Sequence, residues 1–157
     1  MRTAAFILAA AFLAGCNSNG GGSSDAETTD VSSPGGFKPL YDGYLNKCAQ
    51  CHAPGAMGRT VDIEQTLDFT SASTARSSLG LSATGMVGAF AACNDVPFLG
   101  PTYEQSLLAA VLDEQVRSSY SAGSCDANTI TDMTLNPGQP SASFLAALKE
   151  WIDDGAQ

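Results

Sequence analysis

The most constraining feature of the sequence is a short cysteine motif, Cys48-Ala49-Gln50-Cys51-His52. Two thiols three positions apart, with a histidine directly after the second, suit three kinds of chemistry: a redox-active dithiol, half of a zinc site, or covalent attachment of a haem group. A redox dithiol is expected in a βαβ unit, and a zinc site needs two further ligands. Haem attachment needs only the two thiols and the adjacent histidine.

The rest of the chain favours haem. No βαβ pattern surrounds the motif, and the missing zinc ligands would have to be Cys93 and Cys125, which do not form a second close-spaced pair. His52 is the only histidine in the sequence. In the covalent arrangement each thiol reaches a haem vinyl group, and the histidine lies under the iron. The motif therefore predicts one haem c, attached through Cys48 and Cys51, with His52 as the proximal iron ligand.

The N-terminus has the features of a bacterial lipoprotein signal. Arg2 precedes an apolar run over residues 4–13 that is too short to cross a bilayer as a helix. Small residues and Cys16 follow, a pattern that resembles the lipobox, in which the cysteine is lipidated and becomes the mature N-terminus. Residues 1–15 are thus predicted to be a signal peptide, and the protein to be exported and anchored through lipid, facing the periplasm or the cell surface. Asn17 in place of a retention aspartate favours the outer membrane.

Composition divides the mature chain into a tether and one domain. Residues 16–36 hold the lipidated cysteine and a linker rich in Gly, Ser, Asp and Thr, which cannot bury enough apolar surface to fold. Such a linker reaches roughly 25 Å from the membrane. Residues 37–157 form the domain. The formal net charge is −9, which disfavours nucleic acid as a partner. An acidic surface would suit a redox protein that meets basic partners, but many exported bacterial proteins are acidic, and this simpler interpretation is preferred.

Helical periodicity without period-two alternation predicts an all-α domain. Thr102 and Gln105 are spaced as a capping box, and Gly155 suits a helix C-terminus. The predicted helices run from about residue 39 into the cysteine motif, over 102–117, and from Ser141 or Ser143 to Gly155, with a shorter one over 73–79.

The five cysteines can all be assigned. Cys16 is predicted to carry lipid and two cysteines to carry haem, which leaves Cys93 and Cys125. An even pair of remaining thiols in an oxidising compartment most simply forms a disulfide. We therefore expect a Cys93–Cys125 bond that closes a loop around the 102–117 helix.

Both ends of the domain resemble one family. Residues 41–55, which contain the cysteine motif followed by Ala-Pro-Gly, are similar to the haem-binding start of class I cytochrome c domains. Residues 144–156 resemble the closing helix of a bacterial branch of that family, in which Trp-Ile precedes Gly-Ala. Residues 60–126 match poorly. The resemblance implies a cytochrome c-like fold in which the first and last helices cross beside the haem edge.

The resemblance also bears on packing and on the sixth iron ligand. Crossing of the terminal helices would bring Tyr44 and Leu45 against Leu148 and Ile152. Class I domains usually supply a methionine from the loop before the closing helix, which here implies Met133.

Met57 and Met86 are the other methionines of the predicted mature chain. Met86, in a glycine-containing stretch, is the alternative to Met133, whereas Met57 follows His52 too closely to reach the opposite face of the ring. Methionine–histidine ligation fills both axial positions and is typical of electron transfer. We therefore expect a monohaem, lipid-anchored electron carrier that is not an enzyme. The alternatives are a haem c subunit of a dehydrogenase complex, docked through residues 60–126, and a five-coordinate haem enzyme or gas sensor.

Overall fold

The computed structural model of the chain describes residues 36–56, 67–86, 88–129 and 137–156. Within these residues the fold is all-α, as predicted, and they contain only two isolated β-bridges and no strand. The α-helices are α1 (Phe37–Gly43), α2 (Ala72–Leu79), α3 (Leu107–Leu112), α4 (Glu114–Arg117) and α5 (Ala142–Asp153). Short 3₁₀ helices occupy Leu45–Gln50, Gly88–Cys93, Tyr103–Gln105 and Ala127–Thr129. The signal peptide, Cys16, Met57 and Met133 lie outside the described residues, as does the linker except for Gly36.

The first helix begins earlier than the sequence pattern predicted and does not run unbroken into the cysteine motif. Pro39 lies in its first turn, where a missing N–H costs nothing because that group has no intrahelical partner. The helix ends at Gly43, and Tyr44 takes a non-helical conformation with φ −155° and ψ −47°. A separate 3₁₀ helix, Leu45–Gln50, then carries the chain into the motif. The break changes the direction in which the motif leaves α1.

The closing helix has the ends that the sequence predicted. The Ser141 hydroxyl caps its N-terminus by accepting a hydrogen bond from the Phe144 amide at 3.2 Å. At the C-terminus Gly155 takes a positive φ of 91°. The Gly155 amide donates to the Ile152 carbonyl and the Ala156 amide to the Trp151 carbonyl, both at 2.9 Å. This pair of bonds is a Schellman motif, which explains why glycine follows the helix.

Helix α1 packs against both α5 and α2, and buried residues of all three helices belong to one hydrophobic cluster. The Phe37 ring, fully buried, lies 5.1 Å from the Trp151 ring, and the Tyr44 ring lies 4.9 Å from the Phe144 ring. Leu45 belongs to the same buried cluster, and so do two residues of α5, Leu148 and Ile152. The expected packing of the first helix against the last is therefore present.

The prediction of a single helix over residues 102–117 is wrong. The structure has three short helices there, with extended residues between them. Ser106 interrupts the first junction with ψ 128°. Its hydroxyl accepts from the Gly100 amide at 2.8 Å and donates to the Thr102 carbonyl at 2.9 Å. Gly100 is required here, since a Cβ at that position would lie 2.2 Å from the Gln105 carbonyl oxygen. The expected capping box also fails, because the Thr102 side chain makes no capping bond to the backbone.

The second junction lies at Asp113, which is extended and caps α4 by accepting from the Gln115 amide at 2.9 Å. Breaking the helix leaves carbonyl groups of α3 without main-chain partners. The Arg117 side chain supplies replacements, because its Nε donates to the Ala110 carbonyl at 3.0 Å and its Nη2 to the Val111 carbonyl at 2.5 Å. Side chains thus replace the hydrogen bonds that one continuous helix would have made.

Helix α2 offers a direct test of local stability. Ser71 and Thr74 form a reciprocal capping box, with the Ser71 hydroxyl 3.1 Å from the Thr74 amide. Ser71→Ala should lower the free energy of unfolding by about 0.5–2 kcal/mol, because an amide donor loses its partner. Chemical denaturation measures the change. Ser77→Ala, at an exposed position within the same helix, is the control; an equal loss in both variants would contradict a specific role for the cap.

Candidate functional site

The cysteine motif forms a tight helical turn at the end of the Leu45–Gln50 helix. The Cys48 carbonyl accepts hydrogen bonds from two amides, that of Cys51 at 3.1 Å and that of His52 at 2.8 Å. Side chains at positions i and i+3 lie above one another along a 3₁₀ helix. Cys48 and Cys51 therefore lie along one edge of the turn, with His52 next to them.

The two thiols of the turn differ in environment. Cys48 is half-buried and packs against the core, whereas Cys51 is exposed, and neither forms a disulfide. Burial, with a smaller contribution from nearby Cys51, raises the pKa of the Cys48 thiol to about 11. Cys48 is therefore protonated at neutral pH. A thiol in this state is a poor nucleophile, since the thiolate is the reactive form.

His52 is held against the segment that precedes α2. The Phe69 amide donates to the His52 carbonyl at 2.7 Å, and the two rings lie 6.0 Å apart at 60°, an edge-on arrangement. The Tyr41 hydroxyl donates to the Phe69 carbonyl at 2.8 Å. The imidazole Nδ1 is buried, so Nε2 is the nitrogen that would bind a metal. Neither Tyr41 nor Phe69 is among the site residues predicted from the sequence.

A second tyrosine of the same region connects the turn to the chain before α5. The Tyr44 hydroxyl donates to the Gly138 carbonyl at 2.5 Å, across 94 positions of sequence. Burial raises the pKa of Tyr44 to about 12, so the phenol keeps its proton and remains a donor at neutral pH. Tyr41 and Tyr44 are three positions apart, a spacing that places two side chains on one face of a helix. This spacing was the sequence signal for the two tyrosine hydrogen bonds.

Of the two candidate sixth ligands, only Met86 lies among the described residues. Met86 is half-buried against the core, and Asn94 fixes its backbone: the Met86 amide donates to the Asn94 side-chain oxygen at 2.9 Å, and the Asn94 side-chain amide donates to the Met86 carbonyl at 3.0 Å. Met133 lies outside the described residues. Its assignment as the distal ligand stays a prediction.

Cys93 and Cys125 lie with their sulfur atoms 2.04 Å apart, at the distance of a disulfide bond. Both are buried, with 0% and 4% of their surface exposed. The bond joins two positions 32 residues apart and encloses α3 and α4. It leaves Cys48 and Cys51 as the two free thiols of the described residues.

The described residues contain neither a membrane-spanning helix nor a cluster of metal-binding side chains. None of their helices combines the length and apolar character needed to cross a bilayer. Within the same ranges, no three side chains among His, Cys, Asp and Glu come together as a metal-binding group. The side chains of the turn that could hold a cofactor are the His52 imidazole and the thiols of Cys48 and Cys51.

The chain was also compared with known proteins. It matches no protein-family model, and it shows no significant similarity to a curated protein or to a solved structure.

Proposed function

We propose that this protein is a monohaem c-type cytochrome that carries single electrons. The observation that carries the proposal is the turn at Cys48, Cys51 and His52: two unpaired thiols along one edge, directly beside an imidazole whose Nδ1 is buried. The motif for covalent attachment of haem has two thiols at this spacing and a histidine next to the second. The residues present therefore fit the group.

Each part of the turn has a separate task in this proposal. Cys48 and Cys51 would hold the cofactor through thioether bonds, and Nε2 of His52 would coordinate iron. Leu45 and Tyr44, shortly before the turn, are buried, with 0% and 3% of their surface exposed. The haem supplies the one-electron chemistry, and the protein supplies axial ligands, burial and a docking surface.

The other uses of a Cys-x-x-Cys pair fit less well. A redox dithiol works through a thiolate of lowered pKa, whereas burial raises the pKa of Cys48 to about 11. No strand occurs in the described ranges to build a βαβ unit around the turn. A zinc site would need Cys93 and Cys125 as free ligands, and both sulfurs are engaged with each other.

The proposal also includes the membrane anchor, the linker and the net charge of the protein. Lipid on Cys16 would anchor the protein to the membrane, preferably the outer membrane, and the 16–36 linker would let the domain move over roughly 25 Å. Removal of Arg2 with the signal lowers the formal net charge from −9 to −10. An anionic carrier of this kind would dock to basic faces of its electron donors and acceptors.

The proposal is tested by absorption spectra of the matured protein, oxidised and reduced, beside a Met133→Ala variant. We expect low-spin spectra for the wild type, together with a weak long-wavelength methionine band that Met133→Ala loses. Met86→Ala is the matched variant at the alternative ligand and should leave the band intact.

Other spectra would change the conclusion. A high-spin wild type would overturn electron transfer by methionine–histidine iron and favour an enzyme or a gas sensor with an open iron position. A wild type without covalent haem would overturn the cytochrome proposal as a whole. Loss of the band in Met86→Ala alone would transfer the sixth position from Met133 to Met86.

A further inference from the structure

We infer that Phe69, held in place by Tyr41, is a positioning residue that sets the orientation of the His52 imidazole. This inference rests on the proposed function, since it assigns a role toward the iron ligand of that function. All of its residues lie in the described part of the chain.

Phe69 is fixed by hydrogen bonds on both sides of its peptide backbone. Its carbonyl accepts from the Tyr41 hydroxyl at 2.8 Å, and its amide donates to the His52 carbonyl at 2.7 Å. Only 2% of Phe69 is exposed. A residue that is buried and bonded in both directions has little freedom to move, so it can act as a fixed reference for the neighbouring histidine.

The fixed Phe69 residue restricts the His52 imidazole through the contact between the two rings. The Phe69 and His52 rings are 6.0 Å apart and inclined at 60°, so one ring presents its edge to the other. Rotation of the imidazole about its bond to the chain would break this edge-on contact. The contact therefore favours one imidazole plane among those that the side chain would otherwise sample.

Tyr41, which bonds Phe69, is itself held in the core through its neighbours in α1 and α5. The Tyr41 ring lies 6.4 Å from the ring of Phe37, which is fully buried and lies 5.1 Å from the Trp151 ring of α5. Two ring contacts thus connect the closing helix to Tyr41, and the Tyr41 hydroxyl bonds the Phe69 carbonyl. The Phe69 ring in turn contacts the His52 ring.

The segment that contains Phe69 is also held by α2. The Asp68 amide donates to the Ser78 hydroxyl at 3.2 Å, and the Asp68 carboxylate accepts from the Thr70 amide at 2.9 Å. The residues on either side of Phe69 are thereby tied down. Its position is set by α1 from one direction and by α2 from the other.

Groups that surround a ligand are known to orient it and tune the metal it binds. The angle of an axial imidazole influences the electronic structure of low-spin iron, and the hydrogen bonds and packing around the ligand influence the reduction potential. Loss of the Phe69 ring should therefore let the imidazole adopt several orientations.

The test compares three matured variants with the wild type: Phe69→Leu, Tyr41→Phe and Tyr103→Phe. Electron paramagnetic resonance of the oxidised protein and the midpoint potential are measured for each. Phe69→Leu should broaden the low-spin signal and shift the potential, and Tyr41→Phe should do the same to a smaller extent. Tyr103→Phe is the control, because it removes a hydroxyl that bonds to Asp113 at 3.1 Å, outside the contacts of His52 described above.

The outcomes separate this inference from the proposed function. Covalent haem in the wild type, with signals and potentials in Phe69→Leu and Tyr41→Phe that match those of Tyr103→Phe, would overturn the role of Phe69 alone. A wild type that carries no haem would overturn the proposed function. If Phe69→Leu does not mature, Tyr41→Phe decides, because it removes a single oxygen atom and leaves every ring in place.

Discussion

Replacing Cys48 and Cys51 together with alanine should abolish covalent haem attachment. The two thiols lie along one edge of the turn, and they are the only unpaired cysteines of the described residues. Without them no thioether bond can form, so haem staining of the denatured protein after electrophoresis should fall from one equivalent per chain to none. The stain reports covalent attachment, because denaturation releases haem that is bound only through the iron.

A single-cysteine variant and a control variant test the role of the individual thiols. Cys51→Ala removes the exposed thiol and should leave one thioether, which a pyridine haemochrome spectrum distinguishes from two. Asn46→Ala, an exposed position in the same 3₁₀ helix, should retain full staining. Haem that stays covalently bound in the double variant would show attachment at another residue and contradict the assignment of the turn.

Removing the Cys93–Cys125 bond, by contrast, should cost stability and leave haem attachment unchanged. Cross-linking positions 32 residues apart restricts the unfolded chain and contributes about 3–4 kcal/mol in the chain-entropy description. For a domain of this size such a loss corresponds to a fall in melting temperature of roughly 10–15 °C. The variant Cys93→Ala/Cys125→Ala suits the site, since both side chains are buried and alanine adds no polar group.

Chemical denaturation of the matured protein measures the change, and the haem stain is read on the same samples. Ser124→Ala, next to Cys125 but exposed, is the control and should unfold as the wild type does. Stability within about 1 kcal/mol of the wild type would contradict a bond that restricts the unfolded chain by this amount. Loss of haem in the variant would contradict the division of the cysteines into two independent pairs.

Local signals in the sequence predicted much of the fold. Both ends of α5 were predicted correctly, from Ser141 at the start and Gly155 after the end. A serine hydroxyl and a residue with positive φ allow hydrogen bonds to backbone groups only a few positions away along the chain. The short helix predicted over residues 73–79 is present as α2 (Ala72–Leu79). The motif at Cys48 predicted the candidate site directly, since its chemistry depends on spacing within one turn.

The middle of the chain could not be predicted in this way. The apolar residues over 102–117 have the spacing of one helix, yet Ser106 and Asp113 interrupt it. What stabilises the breaks is the approach of Gly100 to Gln105 and the donation of hydrogen bonds by Arg117 to carbonyls of α3. These contacts form only once the chain has folded back on itself, so periodicity alone gives no sign of them.

The same distinction applies to the site. The sequence by itself determined which residues would carry the proposed chemistry, because Cys48, Cys51 and His52 are joined within one turn whatever the rest of the chain does. Only the tertiary structure decided what holds the imidazole. Phe69 lies 17 positions beyond His52 in sequence, and it meets the ring because α1 and α2 pack together and Tyr41 bonds its carbonyl. Hydrogen bonds and ring contacts between distant segments depend on the packing of whole helices, and a local pattern of residues does not encode that packing.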